Sequence, residues 1–235
     1  MAEGLGVTVD GPVVRVVIDR GDDNLLTTAM CDELTGLLAA PPPGTHVLRL
    51  AAEGPCFCLG RERRARTVQE LRREVGALVA LNRALRHSPL VTVAEVHGDA
   101  AGFGVGLAAL CRVSIAAPSA RFWFPEVEIG LAPTVVLSWL PRLVGPKRAF
   151  DLTATARRVD AAEALGLGLL TAVAPSDPAL ETTVDDYVAT LCRHQPAVHA
   201  QITGFLEASA DLTQDQADEL AADKLILASL AGRGG

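Results

Sequence analysis

Aromatic and basic residues are scarce in this sequence, and their scarcity limits its possible partners. Only six Phe, two Trp and one Tyr occur among 235 residues, and 28 acidic residues outnumber 21 Lys and Arg, for a net charge of −7. A nucleic-acid-binding surface needs clustered basic residues, so nucleic acid is not an expected partner. The one arginine-rich run covers residues 61–66. We interpret it as a solvated helix entry, with phosphate contact as the alternative.

Long apolar runs and a cysteine framework are also missing. No apolar stretch reaches the roughly 18 residues that a bilayer-spanning helix needs, and residues 1–6 do not form a signal pattern. The sequence therefore predicts no membrane association and a cytoplasmic protein. Five cysteines are an odd number, and Cys56 and Cys58 have no second pair at metal-site spacing. No disulfide framework and no metal site are expected.

The sequence does contain enough apolar residues for one sizeable core. They make up 49% of the chain, which suits a single domain with a small appendage. The mean hydropathy of +0.29 is high for a chain without a membrane span. We attribute the apolar excess to subunit interfaces.

Strand and helix patterns alternate along the first three quarters of the chain. Short β-branched runs predict strands, and apolar residues at steps of three and four predict helices. Predicted strands cover 13–18, 47–50, 90–96, 113–116, 121–124 and 169–174, and predicted helices cover 26–38, 68–85, 104–110, 137–143 and 147–154. This alternation indicates an α/β architecture. Only helical patterns follow, so the sequence predicts a core at 1–175 and a helical C-terminal region at 176–235.

Two glycine-rich stretches each follow a predicted strand and precede a predicted helix. Gly60 ends the first, G-P-C-F-C-L-G, and the second contains Gly102, Gly104 and Gly106 in H-G-D-A-A-G-F-G-V-G. Glycine tolerates the dihedrals that present a backbone N–H, and N–H groups at a helix N-terminus suit a developing oxyanion. Leu107 rules out the dinucleotide fingerprint, which has glycine or alanine there. Close helix packing is the alternative role for these glycines.

A carboxylate in apolar surroundings follows the two glycine-rich stretches. Glu126 lies in the run R-F-W-F-P-E-V-E-I-G. Burial disfavours the charged form of a carboxylate and raises its pKa, which makes it a better base near neutral pH. Glu126 is therefore the candidate acid/base, whereas Glu128 is more simply interpreted as an exposed acid.

The order and spacing of these three stretches resemble the enoyl-CoA hydratase/isomerase family, the crotonase superfamily. The matching patterns are G-x-x-F-C-x-G, then V-x-G-x-A-x-G-x-G-x-x-L-A-x-x-C, then A-x-F-x-x-P-E-V-x-x-G-L-x-P. The resemblance covers roughly residues 7–175. It implies a spiral of repeated β-β-α units and a helical C-terminal region that mediates trimers or dimers of trimers.

The resemblance also implies a substrate and the groups that bind it. The substrate would be an acyl-CoA thioester, with no cofactor besides the CoA that the substrate carries. By position, the backbone N–H groups of Arg61 and Phe103 would donate to the thioester carbonyl. Gly60, Gly102 and Gly106 would be the glycines of the substrate-binding turns.

One departure from the family pattern bears directly on the chemistry. Typical hydratases of the family hold two glutamates, one matching Glu126 and the other matching Gly106. Glycine cannot transfer a proton, so the expected activity is double-bond isomerisation of an enoyl-CoA by Glu126 alone.

Three alternatives stay open beside isomerisation. The protein would be a hydratase whose second acid is Glu62 or Glu128, an enzyme that forms or breaks C–C bonds beside the thioester, or a catalytically silent acyl-CoA-binding protein. In each case the apolar excess and the family's C-terminal region predict a homotrimer or hexamer.

Overall fold

The structure is a computed structural model that describes residues 2–231. The chain divides after Cys192 into two compact units. Among the described residues, the strands of the first unit are β1 (Leu5–Asp10), β2 (Val13–Ile18), β3 (Val47–Ala52), β4 (Cys56–Cys58), β5 (Val91–Val96), β6 (Asp99–Ala101), β7 (Val113–Ala116), β8 (Arg121–Trp123), β9 (Val159–Asp160) and β10 (Ala172–Val173). Its helices are α1 (Thr28–Ala39), α2 (Val68–His87), α3 (Phe103–Ala109), α4 (Thr134–Leu137), α5 (Leu140–Val144), α6 (Pro146–Thr155), α7 (Ala161–Leu167) and α8 (Leu180–Cys192), with short 3₁₀ helices at Pro125–Ile129 and Asp177–Ala179. The second unit contains α9 (Pro196–Ser209) and α10 (Gln214–Ala231).

Two strands followed by one helix form the repeating unit of the first 109 residues. The units β1-β2-α1, β3-β4-α2 and β5-β6-α3 follow in order, and β7-β8 begins a fourth. Strands β3, β5 and β7 join a large sheet of order β1-β2-β3-β5-β7-β10, whereas β4, β6 and β8 join a small sheet with β9. Strands β4, β6 and β8 are parallel to one another, whereas β9 is antiparallel to β8. The connections that leave these three strands therefore begin at the same edge of the small sheet.

The large sheet is covered on both faces, as expected for parallel strands. On β3, Leu48 and Leu50 point into the main core, which includes residues of α1 and α2. The alternate residue Val47 points to the other face and packs in a cluster with Val184 and Val188 of α8. Helix α8 therefore belongs to the first compact unit, although it lies beyond the predicted boundary at residue 175.

A buried ion-pair group also ties α8 to the sheet. Arg49 of β3 pairs with Glu95 of β5 at 2.7 Å and with Asp185 of α8 at 2.5 Å. Arg49 is 8% exposed, and a buried guanidinium is tolerated only where carboxylates compensate its charge.

Caps define where the two long helices of the core begin. Thr27 is the N-cap of α1 and its side chain accepts from the N–H of Met30 at 3.1 Å. Thr67 and Glu70 form a capping box at the start of α2, each side chain bonding the other residue's backbone N–H. The helix predicted at 68–85 is confirmed within α2, because its apolar spacing is regular over five turns.

The short elements differ most from the sequence predictions. Strands β4, β6 and β9 have three residues or fewer, too few for a periodic pattern, and they were not predicted. The helix predicted at 137–143 is wrong as one element: α4 ends at Leu137, and α5 begins at Leu140 after a break. The strand predicted at 169–174 is reduced to Ala172–Val173.

The second unit exposes apolar side chains on both of its helices. Val198, Ile202 and Leu206 follow one another at steps of four along α9 and are 45–59% exposed. On α10, Leu225, Ile226, Leu227 and Leu230 are 58–69% exposed. None of the helices in residues 2–231 combines the length and the apolar composition that a bilayer-spanning segment requires.

Candidate active site

The three stretches singled out in the sequence meet at one edge of the small sheet. Gly60 and Arg61 follow β4, Gly102 and Phe103 follow β6, and Glu126 lies in the 3₁₀ helix that follows β8. Because these strands are parallel, their carboxyl ends face the same side, where open α/β sheets commonly bind ligands. Equivalent connections of successive β-β-α units thus supply the residues of a single site.

Gly60 brings the first connection against the second. Its φ of +120° is one that residues with a side chain rarely adopt. A Cβ at Gly60 would lie 3.5 Å from the carbonyl oxygen of Ala101 and 4.0 Å from the backbone nitrogen of Phe103. The Cys58 thiol donates to the Gly60 carbonyl at 3.3 Å and supports this turn.

The backbone N–H groups of Arg61 and Phe103 are both left unbonded. Leu26 N–H donates to the Gly60 carbonyl at 3.0 Å, and Glu62 N–H donates to the Leu26 carbonyl at 2.9 Å. These two hydrogen bonds form a short parallel bridge between Leu26 and Arg61. The bridge uses the backbone groups of Gly60 and Glu62, and the N–H of Arg61 itself takes no part in it. Phe103 is the first residue of α3, where N–H groups have no partner inside the helix. In the described part of the chain, neither N–H has an acceptor within hydrogen-bond distance.

The glycines at the start of α3 have two different roles. A Cβ at Gly104 would lie 2.0 Å from the carbonyl oxygen of Cys58, so Gly104 permits the close packing of α3 on β4. Gly102 has φ +51° and ψ −118°, and its N–H donates to the Trp123 carbonyl at 2.9 Å. Gly102 therefore turns the chain from β6 into the helix.

Gly102 also makes room for the Glu126 carboxylate. A Cβ at Gly102 would lie 2.7 Å from Glu126 Oε1, closer than a side chain can approach. Oε2 of Glu126 is buried and has no hydrogen-bond partner among the described residues. The carboxylate is thus held beside the Gly102 turn with one oxygen uncommitted.

The surroundings of Glu126 change its acidity. Burial raises the pKa of Glu126 above its ordinary value of 4.5, because desolvation penalises the charged form. A backbone N–H of Glu126 itself and the positive charges of Arg63 and Arg61 oppose part of this increase in pKa. A raised pKa brings the carboxyl closer to the range in which it both accepts and returns a proton.

A cavity of about 660 Å³ connects these groups. Gly60, Arg61, Gly102, Phe103 and Glu126 all line it, and most of the remaining lining residues are apolar side chains of α2 and of residues 131–136. The volume lies within the range of small-molecule sites. Among the described residues that line the cavity, Glu126 is the one carboxylate.

Gly106 is not among the residues that line this cavity, unlike the other predicted site residues. The indole of Trp139 covers it: a Cβ at Gly106 would lie 3.3 Å from Trp139 Cζ2 and 3.7 Å from Cε2. Trp139 is 3% exposed, and its ring packs edge-to-face on Phe124 with centroids 6.5 Å apart. Sequence reasoning missed Trp139, because no local pattern connects it with Gly106.

The two alternative second acids lie outside the cavity. Glu62 pairs with Arg20 at 2.7 Å and with Arg64 at 2.8 Å, and the hydrogen bond from Arg20 lowers the pKa of Glu62. Glu128 is exposed and does not line the cavity either. Of these three carboxylates, only Glu126 lines the cavity.

The buried thiols near the site are weak acids. Burial raises the pKa of Cys31 and of Cys58 to about 12 and that of Cys56 to about 11. A thiol with such a pKa is not a thiolate near neutral pH and is a poor nucleophile. Cys58 packs in the core and supports the Gly60 turn.

Comparison with curated proteins gives relatives at moderate identity. The enoyl-CoA hydratase ACTT6 of Alternaria alternata is 29% identical over 191 residues, which cover 80% of this chain and 64% of that protein. The enoyl-CoA isomerase/hydratase fer4 of Mycosarcoma maydis is 35% identical over 144 residues, which cover 59% of this chain and 53% of that protein. The chain thus spans less than two thirds of the length of either relative.

Solved structures confirm the predicted fold. A Thermobifida fusca YX protein, described as an enoyl-CoA hydratase and crystallised with CoA, matches with a TM-score of 0.88 at 29% identity, covering 97% of this chain and 95% of that one. The expected α/β fold with a helical C-terminal region is therefore correct. The family model for enoyl-CoA hydratase/isomerase matches residues 9–231. With the family's motifs meeting at one cavity and its model covering nearly the whole chain, this protein belongs to the enoyl-CoA hydratase/isomerase family.

Proposed function

We propose that this protein moves a double bond in an enoyl-CoA thioester, from C3 to C2, with Glu126 as its single acid/base. The observation that carries the proposal is the cavity, where one partly buried carboxylate lies beside two unbonded N–H groups. The Thermobifida fusca relative, crystallised with CoA, supports a CoA thioester as the ligand. A double-bond shift needs one group that removes a proton and returns it, and Glu126 suits that task.

The steps follow from the positions of the groups. The thioester carbonyl oxygen accepts hydrogen bonds from the N–H groups of Arg61 and Phe103. Glu126 removes a proton from C2, and the electron pair moves into a dienolate whose oxyanion those two N–H groups stabilise. The protonated Glu126 then returns the proton at C4, which leaves the double bond between C2 and C3. Each well-placed donor of this kind contributes about 3 kcal/mol of transition-state stabilisation.

Hydration is disfavoured by the same arrangement. Adding water across the double bond in the two-carboxylate scheme requires a second group beside Glu126. Trp139 instead fills the space next to Gly106, and the Glu62 carboxylate is engaged by two arginines. The apolar indole and the missing second carboxylate both favour isomerisation, which needs no water, over hydration.

Turnover of 3-hexenoyl-CoA to 2-hexenoyl-CoA tests the proposal. The wild-type protein should form the conjugated product, and Glu126→Gln should lose at least about a hundredfold in rate, because an amide cannot accept the proton. Its affinity for the unreactive butyryl-CoA should stay within about tenfold, since binding does not depend on proton transfer. Glu128→Gln, a matched change at an exposed carboxylate, should leave the rate unchanged.

Other outcomes would assign a different function. Brisk hydration of crotonyl-CoA by the wild-type protein would contradict the single-carboxylate mechanism. Tight binding of butyryl-CoA without any turnover would identify a catalytically silent acyl-CoA-binding protein. Unchanged turnover by Glu126→Gln would move the base to another residue.

We also propose that the chain assembles as a homotrimer or hexamer. The exposed apolar side chains of α9 and α10 support this assembly, because such a concentration of apolar surface is typical of an interface. Burying those side chains between copies would also account for the high mean hydropathy.

A further inference from the structure

The arginines of residues 61–66 differ in their ion-pair partners. Arg61 pairs with Glu74 at 2.9 Å, and Arg64 pairs with Glu62 at 2.8 Å. Across residues 2–231, no carboxylate lies within ion-pair distance of Arg63, which is exposed. Arg63 therefore keeps an uncompensated charge and is free to bind an anion.

Arg63 also lines the cavity that contains Glu126. The lining around it is mainly apolar, and the charge of Arg61 is already matched by Glu74. Arg63 makes no ion pair with Glu126, yet it is close enough for its charge to lower the pKa of that carboxyl, more than the charge of Arg61 does. The cavity thus carries an unmatched positive charge within electrostatic range of its acid/base.

The position of this charge indicates which part of a substrate it meets. The phosphates of CoA are separated from the thioester by the whole pantetheine arm, whereas Glu126 acts on the carbons next to the thioester. A cation within range of Glu126 therefore faces the acyl group more readily than the nucleotide. The anion that an acyl group can offer there is a second carboxylate.

We infer that Arg63 binds a carboxylate at the far end of the acyl chain, so that the preferred substrates are CoA thioesters of dicarboxylic acids. The inference rests on the proposed acyl-CoA function of the cavity. A guanidinium matches a carboxylate through two parallel N–H···O bonds. Because Arg63 is exposed, solvent screens such a pair, and the two-bond geometry supplies most of its selectivity. A neutral acyl chain of similar length would gain nothing from Arg63.

Binding of two acyl-CoA thioesters tests the inference without requiring turnover. Isothermal titration calorimetry would compare glutaryl-CoA, which ends in a carboxylate, with hexanoyl-CoA, its neutral counterpart of similar length. The wild-type protein should prefer glutaryl-CoA by about fivefold, the upper end for an exposed ion pair. Arg63→Gln should abolish the preference, and Arg63→Lys should keep part of it. Arg66→Gln, the same change at an arginine that does not line the cavity, should preserve it.

Each contrary result has a distinct meaning. If Arg63→Gln lowered the affinity for both thioesters equally, the inference would be overturned and Arg63 would be assigned to a CoA phosphate. In that case the variant would lose less affinity for 3′-dephospho-CoA thioesters. An unchanged preference in Arg63→Gln, or no preference in the wild type, would overturn it as well. Failure of the wild-type protein to bind either thioester would overturn the proposed function itself.

Discussion

Trp139 lies against Gly106, the residue that the sequence resemblance matches to the second glutamate of typical hydratases. The indole carbon Cζ2 is 3.3 Å from where a Cβ of residue 106 would be, and Phe124 buttresses the ring from the side. Even the Cβ of a glutamate at residue 106 would require Trp139 to shift by a few tenths of an ångström. This contact disfavours a second carboxylate at residue 106.

Replacing both residues should convert the site toward hydration. Gly106→Glu alone should not increase hydration of crotonyl-CoA, because Trp139 blocks the new side chain. Gly106→Glu combined with Trp139→Leu should increase it by about tenfold or more, since general acid–base assistance contributes roughly 10²–10⁴-fold. Trp139→Leu alone is the control and should show no increase. If Trp139→Leu alone hydrated crotonyl-CoA as fast as the double variant, the space opened by removing the indole, and not the new carboxylate, would be responsible for the increase.

Gly102→Ala should damage the site through Glu126. The new methyl group would lie 2.7 Å from Glu126 Oε1, and displacing a catalytic group by about 1 Å costs on the order of a hundredfold in rate. Gly11→Ala is a matched control, because Gly11 has the same φ of +51° and open space around it. The control should lose about 1 kcal/mol of stability and no activity. Equal rate losses in both variants would assign the effect of Gly102→Ala to backbone strain.

The sequence predicted most of the regular elements, although not β1 and α7, and it did not predict the contacts that decide the chemistry. The periodicity of α2 and the β-branched run of β7 are local signals, so both elements were predicted well. Strands β4 and β6 are too short to carry a pattern, although the glycine-rich turns that follow them were recognised. The contact of Trp139 with Gly106 joins distant parts of the chain, and the ion-pair partner of Arg61 lies on a different element. Packing in three dimensions decides such contacts, and a single sequence does not reveal them.

Glu126 should lower the stability of the folded protein at neutral pH. Its pKa is higher in the folded protein than in the unfolded chain, so stability falls as pH rises through the raised pKa. Glu126→Gln should therefore be more stable than wild type at pH 7 in urea unfolding. The difference should shrink below about pH 4, where the carboxyl is protonated in both states. Glu128→Gln, at an exposed position, should show no such pH dependence; an equal pH effect in both variants would contradict the burial of Glu126.

The apolar faces of α9 and α10 should hold an oligomer together. Light scattering at micromolar concentration should return the mass of three or six chains of 24.6 kDa. Ile202→Asp combined with Leu206→Asp should reduce that mass, because burying two carboxylates in an apolar interface is costly. Val9→Asp, at an exposed residue of β1, is the control and should leave the mass unchanged. A wild-type mass of 24.6 kDa would contradict the proposed assembly.

Solvent deuterium exchange tests the role of Glu126 most directly. In D₂O the wild-type protein should incorporate deuterium at C2 of 3-hexenoyl-CoA. The base that removes the C2 proton exchanges it with solvent in some turnovers, and a deuteron is then transferred back to C2. Glu126→Gln should show no incorporation above the uncatalysed rate while still binding butyryl-CoA. Incorporation by Glu126→Gln at the wild-type rate, or none by a wild-type protein that binds the thioester, would contradict Glu126 as the acid/base of this site.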